Sequence, residues 1–368
     1  MKKKNLCKTL LKTICIVLGI LILALLAYIV YLYASYYRIE DNQELVVEAP
    51  VDDTTTGAAA VLATDTEYSA VTYNIGFGAY LPDYSFFMDG GTSSWAESPE
   101  TVQYAINGAG ELVKSLDPDF ALIQEIDLDA TRSYHTDEYE MLRNLLPEYT
   151  TVFAQNYDSA FLFYPFTQPH GSSRAGLGLF SKYPVSSALR RSFPISTSFS
   201  KFFDLDRCYS VSRIPVDNGK ELVIFNLHMS AYGNSDEIRK GQIEMLCNDM
   251  AKEYEAGNYV LCGGDFNHDL KASEEDAENC ESWAFPFPRT ELPEHFAFCL
   301  DLLSSEEKES LWNSARNADM EYVPGVTYTV TLDGFIISDN IECLSYENVN
   351  TGYSYSDHDP VKVEFVLK

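Results

Sequence analysis

The chain has 368 residues, 46% of them hydrophobic, with 25 Tyr, 21 Phe and a formal net charge of −29. That apolar and aromatic content excludes an intrinsically disordered chain, and the length suits one large domain with additions. The charge is unevenly placed: Lys2, Lys3, Lys4, Lys8 and Lys12 stand at the N-terminus, and no acidic residue occurs before Glu40.

From Thr13 to Tyr37 there is no charged residue, and "ICIVLGILILALLAYIVYLY" is apolar enough to span a bilayer as a helix. Lysines ahead of the span predict an N-terminus inside the cell membrane and a C-terminal body outside it. A cleaved signal peptide is the alternative. Its apolar core is ordinarily shorter, and the best cleavage candidate, at Ala34, has bulky Leu32 two positions before it. The organisation read from the sequence is a basic tail over 1–12, an anchor over 13–37, a linker over 38–66 and a folded body over 67–368. Without the five N-terminal lysines the chain holds 21 basic and 55 acidic residues, a balance of −34. A body so acidic repels polyanions at long range and suits the holding of divalent cations. Its outer cysteines (Cys208, Cys247, Cys262, Cys280, Cys299 and Cys343) show neither a small disulfide framework nor a zinc spacing.

Within the body, strand and helix signals alternate. "YSAVTYNIGFG" predicts a buried strand ending in glycines. "SPETVQYAINGAGELVKSL" predicts a helix capped by Ser98 with Pro99 at its first position, and Val102, Ile106, Ala109, Val113 and Leu116 form its apolar face. "DFALIQEID" and "GLGLFSKYPV" are short apolar strands. "RCYSVSRIPV" and "ELVIFNLHMS" predict a hairpin turned by Asn218-Gly219, followed by a helix from Ser235 to Glu255. "NYVLCGGDFN", "YTVTLDGFIIS" and "DPVKVEFVLK" complete the strands. The pattern predicts an α/β fold of two packed sheets flanked by helices.

Polar residues recur at strand ends: Asn74, Glu125, His228, Asp265 with Asn267, Asp333, and Asp357 with His358. Any one of these is an ordinary turn or cap residue; the ordered series is what points to a site on one rim of the sheets. Asp265 and Asn267 are two apart, so on extended backbone they share a face. Cys262 reads as a buried strand residue, and His268 and Asp269 as loop residues.

The motifs "TYNIGFG", "LIQEID", "GLGLFSKYPV", "FNLHMS", "GGDFN", "LDGF" and "SDHDPV", in that order from about Tyr68 to Lys368, resemble the endonuclease/exonuclease/phosphatase superfamily. "GGDFN" and "SDHDPV" carry most of the specificity. The resemblance implies a four-layer sandwich, two mixed sheets inside and helices outside. It also implies hydrolysis of phosphate esters with a divalent metal, magnesium first, with manganese or calcium as substitutes. A hard cation on oxygen ligands offsets the charge that builds on an anionic phosphate. By the same resemblance Glu125 is the first metal ligand, supported by Asn74 and Asp357. Asp265 orients or deprotonates water, and Asn267 donates to a phosphate oxygen. Asp333 orients His358, and His228 contacts the phosphate or the leaving oxygen. Histidine at 228 resembles the deoxyribonuclease, sphingomyelinase and 5-phosphatase branches. Gly334 departs from the larger residues common after this aspartate, and Arg174 is either a phosphate contact or a solvated side chain.

The substrate is less legible. The sequence supports a membrane-anchored phosphodiesterase, nuclease-like, with phospholipid, sphingomyelin or inositol-phosphate hydrolysis as the alternative and an inactive surface binding protein as a third reading. The acidic body has no basic stripe, which argues against tight nucleic-acid binding. Two aromatic insertions, residues 78–100 and 156–174, are expected at the site rim. No protein partner is inferable.

Overall fold

The structure is a computed structural model that describes residues 2–52, 61–230, 236–273 and 284–368. It divides into two units, Met1–Arg38 and Ile39–Lys368. The first is helix α1, Lys2–Ser35, so the basic segment expected as a separate tail is helical with the anchor. Its stretch Leu6–Ser35, with mean hydropathy 3.0, is long and apolar enough to cross a membrane.

The second unit begins with two short strands, β1 (Gln43–Glu44) and β2 (Val47–Glu48), inside the segment expected as a linker. There follow β3 (Glu67–Asn74), α2 (Pro99–Leu116), β4 (Phe120–Ala130), α3 (Glu138–Leu145), β5 (Thr150–Asp158), β6 (Ser173–Ser181) and β7 (Ser187–Ser192). Next come β8 (Cys208–Pro215), β9 (Glu221–His228), α4 (Asp236–Glu255), β10 (Tyr259–Asp265), β11 (Phe296–Phe298) and α5 (Ser305–Ser310). The chain ends with β12 (Ala315–Arg316), β13 (Thr329–Val330), β14 (Asp333–Ser338), β15 (Ile341–Asn348) and β16 (Val361–Leu367). One seven-stranded sheet has the order β15-β16-β3-β4-β6-β5-β2, and the other β1-β7-β8-β9-β10-β14-β11. Both are mixed, because β3/β4 and β9/β10 are parallel and β4/β6 and β10/β14 antiparallel. Residues 38–66 are therefore in part sheet edge, with β1 on β7 and β2 on β5.

The central strands read as continuous apolar runs because both of their faces are covered. In β4, Phe120 and Leu122 join the core between the sheets. Ala121 and Ile123 turn the other way, onto Val102, Ile106, Ala109 and Val113 of α2. On the second sheet, Ile243, Leu246, Cys247 and Met250 of α4 belong to the same core as Val260 and Cys262 of β10. Helix, sheet, sheet and helix make the four layers. Helix α2 starts as its sequence demands: the Ser98 hydroxyl accepts from the Thr101 N–H at 3.1 Å, and Pro99 sits in the first turn. The β8–β9 hairpin turns at Asn218-Gly219, with Gly219 at φ +81°.

"YTVTLDGFIIS" is not one strand. Thr329–Val330 pairs with Ala315–Arg316, whereas Asp333–Ser338 pairs with β10. Between them the Ser314 hydroxyl takes the N–H groups of Leu332 and Asp333 at 3.0 and 3.1 Å, which replaces ladder partners at the break. The expected start of α4, Ser235, and Cys280 lie outside the described residues.

Candidate active site

Sheet register gathers the polar strand ends. Asp265 lies directly beside His228 across the parallel β9/β10 pair and opposite Asp333 across β10/β14. In the facing sheet Asn74 pairs with Gln124, next to Glu125. A buried amide clamp ties the sheets just beneath: Gln124 Nε2 donates to Asn226 Oδ1 at 2.8 Å, and Asn226 Nδ2 to the Gly178 carbonyl at 3.0 Å. Gly264 permits the closeness of β9 and β10. Its φ is +147°, and a Cβ there would lie 2.1 Å from the Leu227 carbonyl oxygen.

Local backbone then aims the acids. Glu125 interrupts β4 at a bulge between Ile123 and Ile126, with φ +56°. Asn74 Nδ2 donates to Glu125 Oε1 at 3.1 Å and to Asp265 Oδ2 at 3.0 Å, while its oxygen accepts from the Gly76 N–H. His228 Nε2 stands 3.8 Å from Glu125 and 3.5 Å from Asp265. His358 Nδ1 meets Asp333 Oδ2 at 2.7 Å, and its Nε2 points to Asp265 Oδ2 at 3.8 Å. Asp333 Oδ2 also accepts from the Ser314 hydroxyl at 2.7 Å. Asn267, at φ +50°, donates its backbone N–H to Asp265 Oδ1 and one amide N–H to the Met229 carbonyl. Glu125, His228, Asp265, Asn267, Asp357 and His358 line one cavity of about 140 Å³. Asn74 and Asp333 lie behind that wall, both buried.

Burial separates the protonation states. It raises the Asp265 carboxyl to about 7, with His358 opposing and Asp333 adding to the rise. Burial would lower His358, but the charges of Asp333 and Asp265 hold its imidazole well above its ordinary range. His228 is driven well below it by burial, then by the charge of Arg207. The site therefore holds a cationic His358 and a neutral His228 on either side of Asp265.

Residues 71–302 match the Endonuclease/Exonuclease/phosphatase family. The chain belongs to this family. No curated protein matches the sequence. Among solved structures, the endonuclease/exonuclease/phosphatase from Bacteroides vulgatus is 17% identical over 83% of this chain and 100% of that one, with TM-score 0.53. The one from Beutenbergia cavernae is 15% identical over 82% of this chain and 72% of that one, with TM-score 0.54. ANGEL2, a 2′,3′-cyclic phosphatase solved with adenosine-2′,3′-vanadate, is 12% identical over 82% of this chain and 96% of that one, with TM-score 0.56. These likenesses establish the sandwich fold.

Members of the endonuclease/exonuclease/phosphatase family are phosphoester hydrolases that generally use a divalent metal. The donors here suit a hard cation. Glu125 and Asp357 face the same cavity, and Asp357 is raised by burial, His358 and Arg316 opposing and the Glu125 charge adding to the rise. Two carboxylates in a desolvated cleft are costly until a cation joins them. Asp265, Asp333 and His358 also cluster within 4.8 Å. The short hydrogen bond to His358 Nδ1 and the Ser314 hydroxyl occupy Asp333 Oδ2, while its Oδ1 is buried without a partner.

Sequence reading missed much of the cavity wall. Arg207 and Arg316, both buried, line it, whereas the lining residues Tyr80, Phe86 and His170 belong to the two insertions expected at the site rim. Arg132 lines it too, donating a two-bond fork to the Asp127 carboxylate and stacked 3.7 Å over the Phe77 ring. The run "EIDLDATR" carried a signal for Arg132, an acid-rich strand end followed by a cation. Arg207 sits just ahead of β8, and only the fold brings it to the cavity wall. Arg174 is exposed, pairs with Asp129 at 3.0 Å and is not among the lining residues. His268 is buried, with Nδ1 on the Phe266 carbonyl at 2.6 Å, and Cys262 is a buried strand thiol raised by burial.

Proposed function

We propose that the protein is a membrane-anchored, metal-dependent phosphoesterase whose catalytic body lies outside the cell membrane and cleaves phosphodiester bonds. The carrying observation is the meeting of Glu125, Asp357, His228, Asp265 and the His358–Asp333 pair at one cavity. Glu125 and Asp357 would hold the cation, which when bound offsets the charge building on the phosphate oxygens. Asn74 is a positioning residue, because its amide ties Glu125 to Asp265.

Asp265 accepts the proton of the attacking water. A carboxyl raised to about 7 is a stronger base than an ordinary one and is still ionised above neutrality. His358, kept cationic by Asp333, donates to the phosphate oxygen as negative charge grows. Neutral His228 contributes a hydrogen-bond donor without a second positive charge. Buried Arg207, Arg132 and Arg316 stand on the same wall as fixed cations for a bound phosphate.

The full chain assayed with magnesium on plasmid DNA, sphingomyelin and inositol phosphates tests this reading. Turnover of one substrate class is expected, abolished by EDTA and by His358→Ala. Binding without turnover of any of them would instead favour an inactive binding protein. Lipid head groups are the second reading, supported by the exposed Phe163, Tyr164 and Phe166 on the loop that carries the cavity residue His170.

A further inference from the structure

We propose that the face of the catalytic body around the cavity mouth rests on the bilayer that holds the N-terminal helix, with aromatic side chains of two loops in the head-group zone. The inference rests on the membrane-anchored reading above, and three observations meet in it.

The first is charge. The 45 residues from Ser159 to Phe203 contain no Asp or Glu, in a chain with 55 of them. Excess positive charge is not the point, since Lys182 pairs with Asp117 and Arg191 with Asp41 and Asp249. The span itself adds no carboxylate to repel an anionic surface, and the acids beside it on the cavity wall are Asp89 and Asp204. The second is exposed aromatic surface on that same span. Phe166 is 85% exposed, Tyr164 61%, Phe163 49% and Phe199 47%. Aromatic side chains of this kind settle at the membrane–water boundary.

The third is where the chain enters the body. Ile39 follows the last helical residue, Ser35, by four positions, and four extended residues reach at most about 14 Å. The Ile39 N–H donates to Asp206 Oδ2 at 2.6 Å, and Asp41 Oδ1 accepts from the Ser192 N–H at 2.8 Å. Ser192 and Asp206 flank the loop of Phe199 and Phe203. The Asp206 N–H in turn bonds the Asn156 carbonyl at 2.7 Å, where the other aromatic loop departs. Both loops reach the cavity: Phe203 and His170 line it, and Tyr164 packs 5.9 Å from Phe87, next to the lining residue Phe86. Entry point, aromatic loops and cavity mouth thus share one side of the body.

The test uses the full chain carrying Phe166→Trp or Phe199→Trp, reconstituted in vesicles with or without brominated acyl chains. The emission added over the three native tryptophans is read. The expected result is loss of most of the added emission in brominated vesicles and resistance to aqueous iodide. Vesicle flotation is read on the same samples. A chain that floats, yet whose added tryptophan is quenched by iodide and not by bromine, overturns the docking and leaves the anchor intact. A chain that does not float overturns both. Protection of the added tryptophan from iodide by a single-stranded oligonucleotide, without bromine quenching, would assign the loops to nucleic-acid stacking and also overturn the docking.

Discussion

Replacing Asp265 by asparagine keeps its shape and removes its charge, and the two consequences have opposite signs. Burial, with Asp333 adding and His358 opposing, lifts this carboxyl from 3.8 to about 7. A carboxyl so raised favours the fold while protonated, below pH 4, and that contribution is lost as pH rises through about 7. At about 1.4 kcal/mol per pH unit, the ionised form in the metal-free protein at pH 8 costs on the order of 4 kcal/mol. Asparagine avoids that cost but turns an amide toward Asn74 Nδ2, which now donates to Asp265 at 3.0 Å. A donor left facing a donor costs about 1–3 kcal/mol. Metal-free Asp265→Asn is therefore expected to be more stable than the parent by about 1–3 kcal/mol at pH 8, with the advantage gone at pH 5. Its turnover is expected to fall about 10²–10⁴-fold through loss of the base. Urea unfolding of the detergent-solubilised chain in EDTA at both pH values, beside turnover with magnesium, reads both effects. A variant that is less stable at pH 8, or that keeps its activity, would refute the reasoning.

Other substitutions probe the remaining parts. Asp333→Asn removes the charge 2.7 Å from His358, whose protonated form is the active one below its raised pKa. The alkaline fall in kcat/KM is expected to move to lower pH, and an unchanged profile would dissociate the pair from catalysis. Glu125→Gln is expected to raise the magnesium concentration for half-maximal activity by at least the about 10–100-fold typical of outer-shell changes. A magnesium titration decides it. Gly264→Ala forces a Cβ to within 2.1 Å of the Leu227 carbonyl in a left-handed backbone. It is expected to cost about 3 kcal/mol or more, read as a lowered urea midpoint.

The strands that carry the site were legible because both their faces are buried, which makes them uninterrupted apolar runs with a polar residue where the run ends. "FALIQEID" and "VLCGGDFN" announce themselves that way, and so does the Ser98-Pro99 start of α2. Elements held by tertiary contact were not legible. Gln43–Glu44 and Val47–Glu48 are strands only because β7 and β5 offer them free edges. The split of "YTVTLDGFIIS" depends on the hydroxyl of Ser314, distant in sequence from the strand it interrupts. In the site, Glu125 and His358 could be singled out by their motifs. That Asn74 would turn its nitrogen to two carboxylates and its oxygen to Gly76 could not, because the choice follows from neighbours brought in by other strands. Arg207 and Arg316 went unseen for the same reason.

Where a divalent ion settles decides whether Glu125 and Asp357 are the metal ligands. Crystals of the protein soaked in manganese, measured at the manganese absorption edge, would locate it by anomalous scattering. The expected result is a peak between the carboxylates of Glu125 and Asp357, absent in Glu125→Gln. A peak held instead by Asp265, Asp333 and His358, or no peak in the cavity at all, would contradict that assignment.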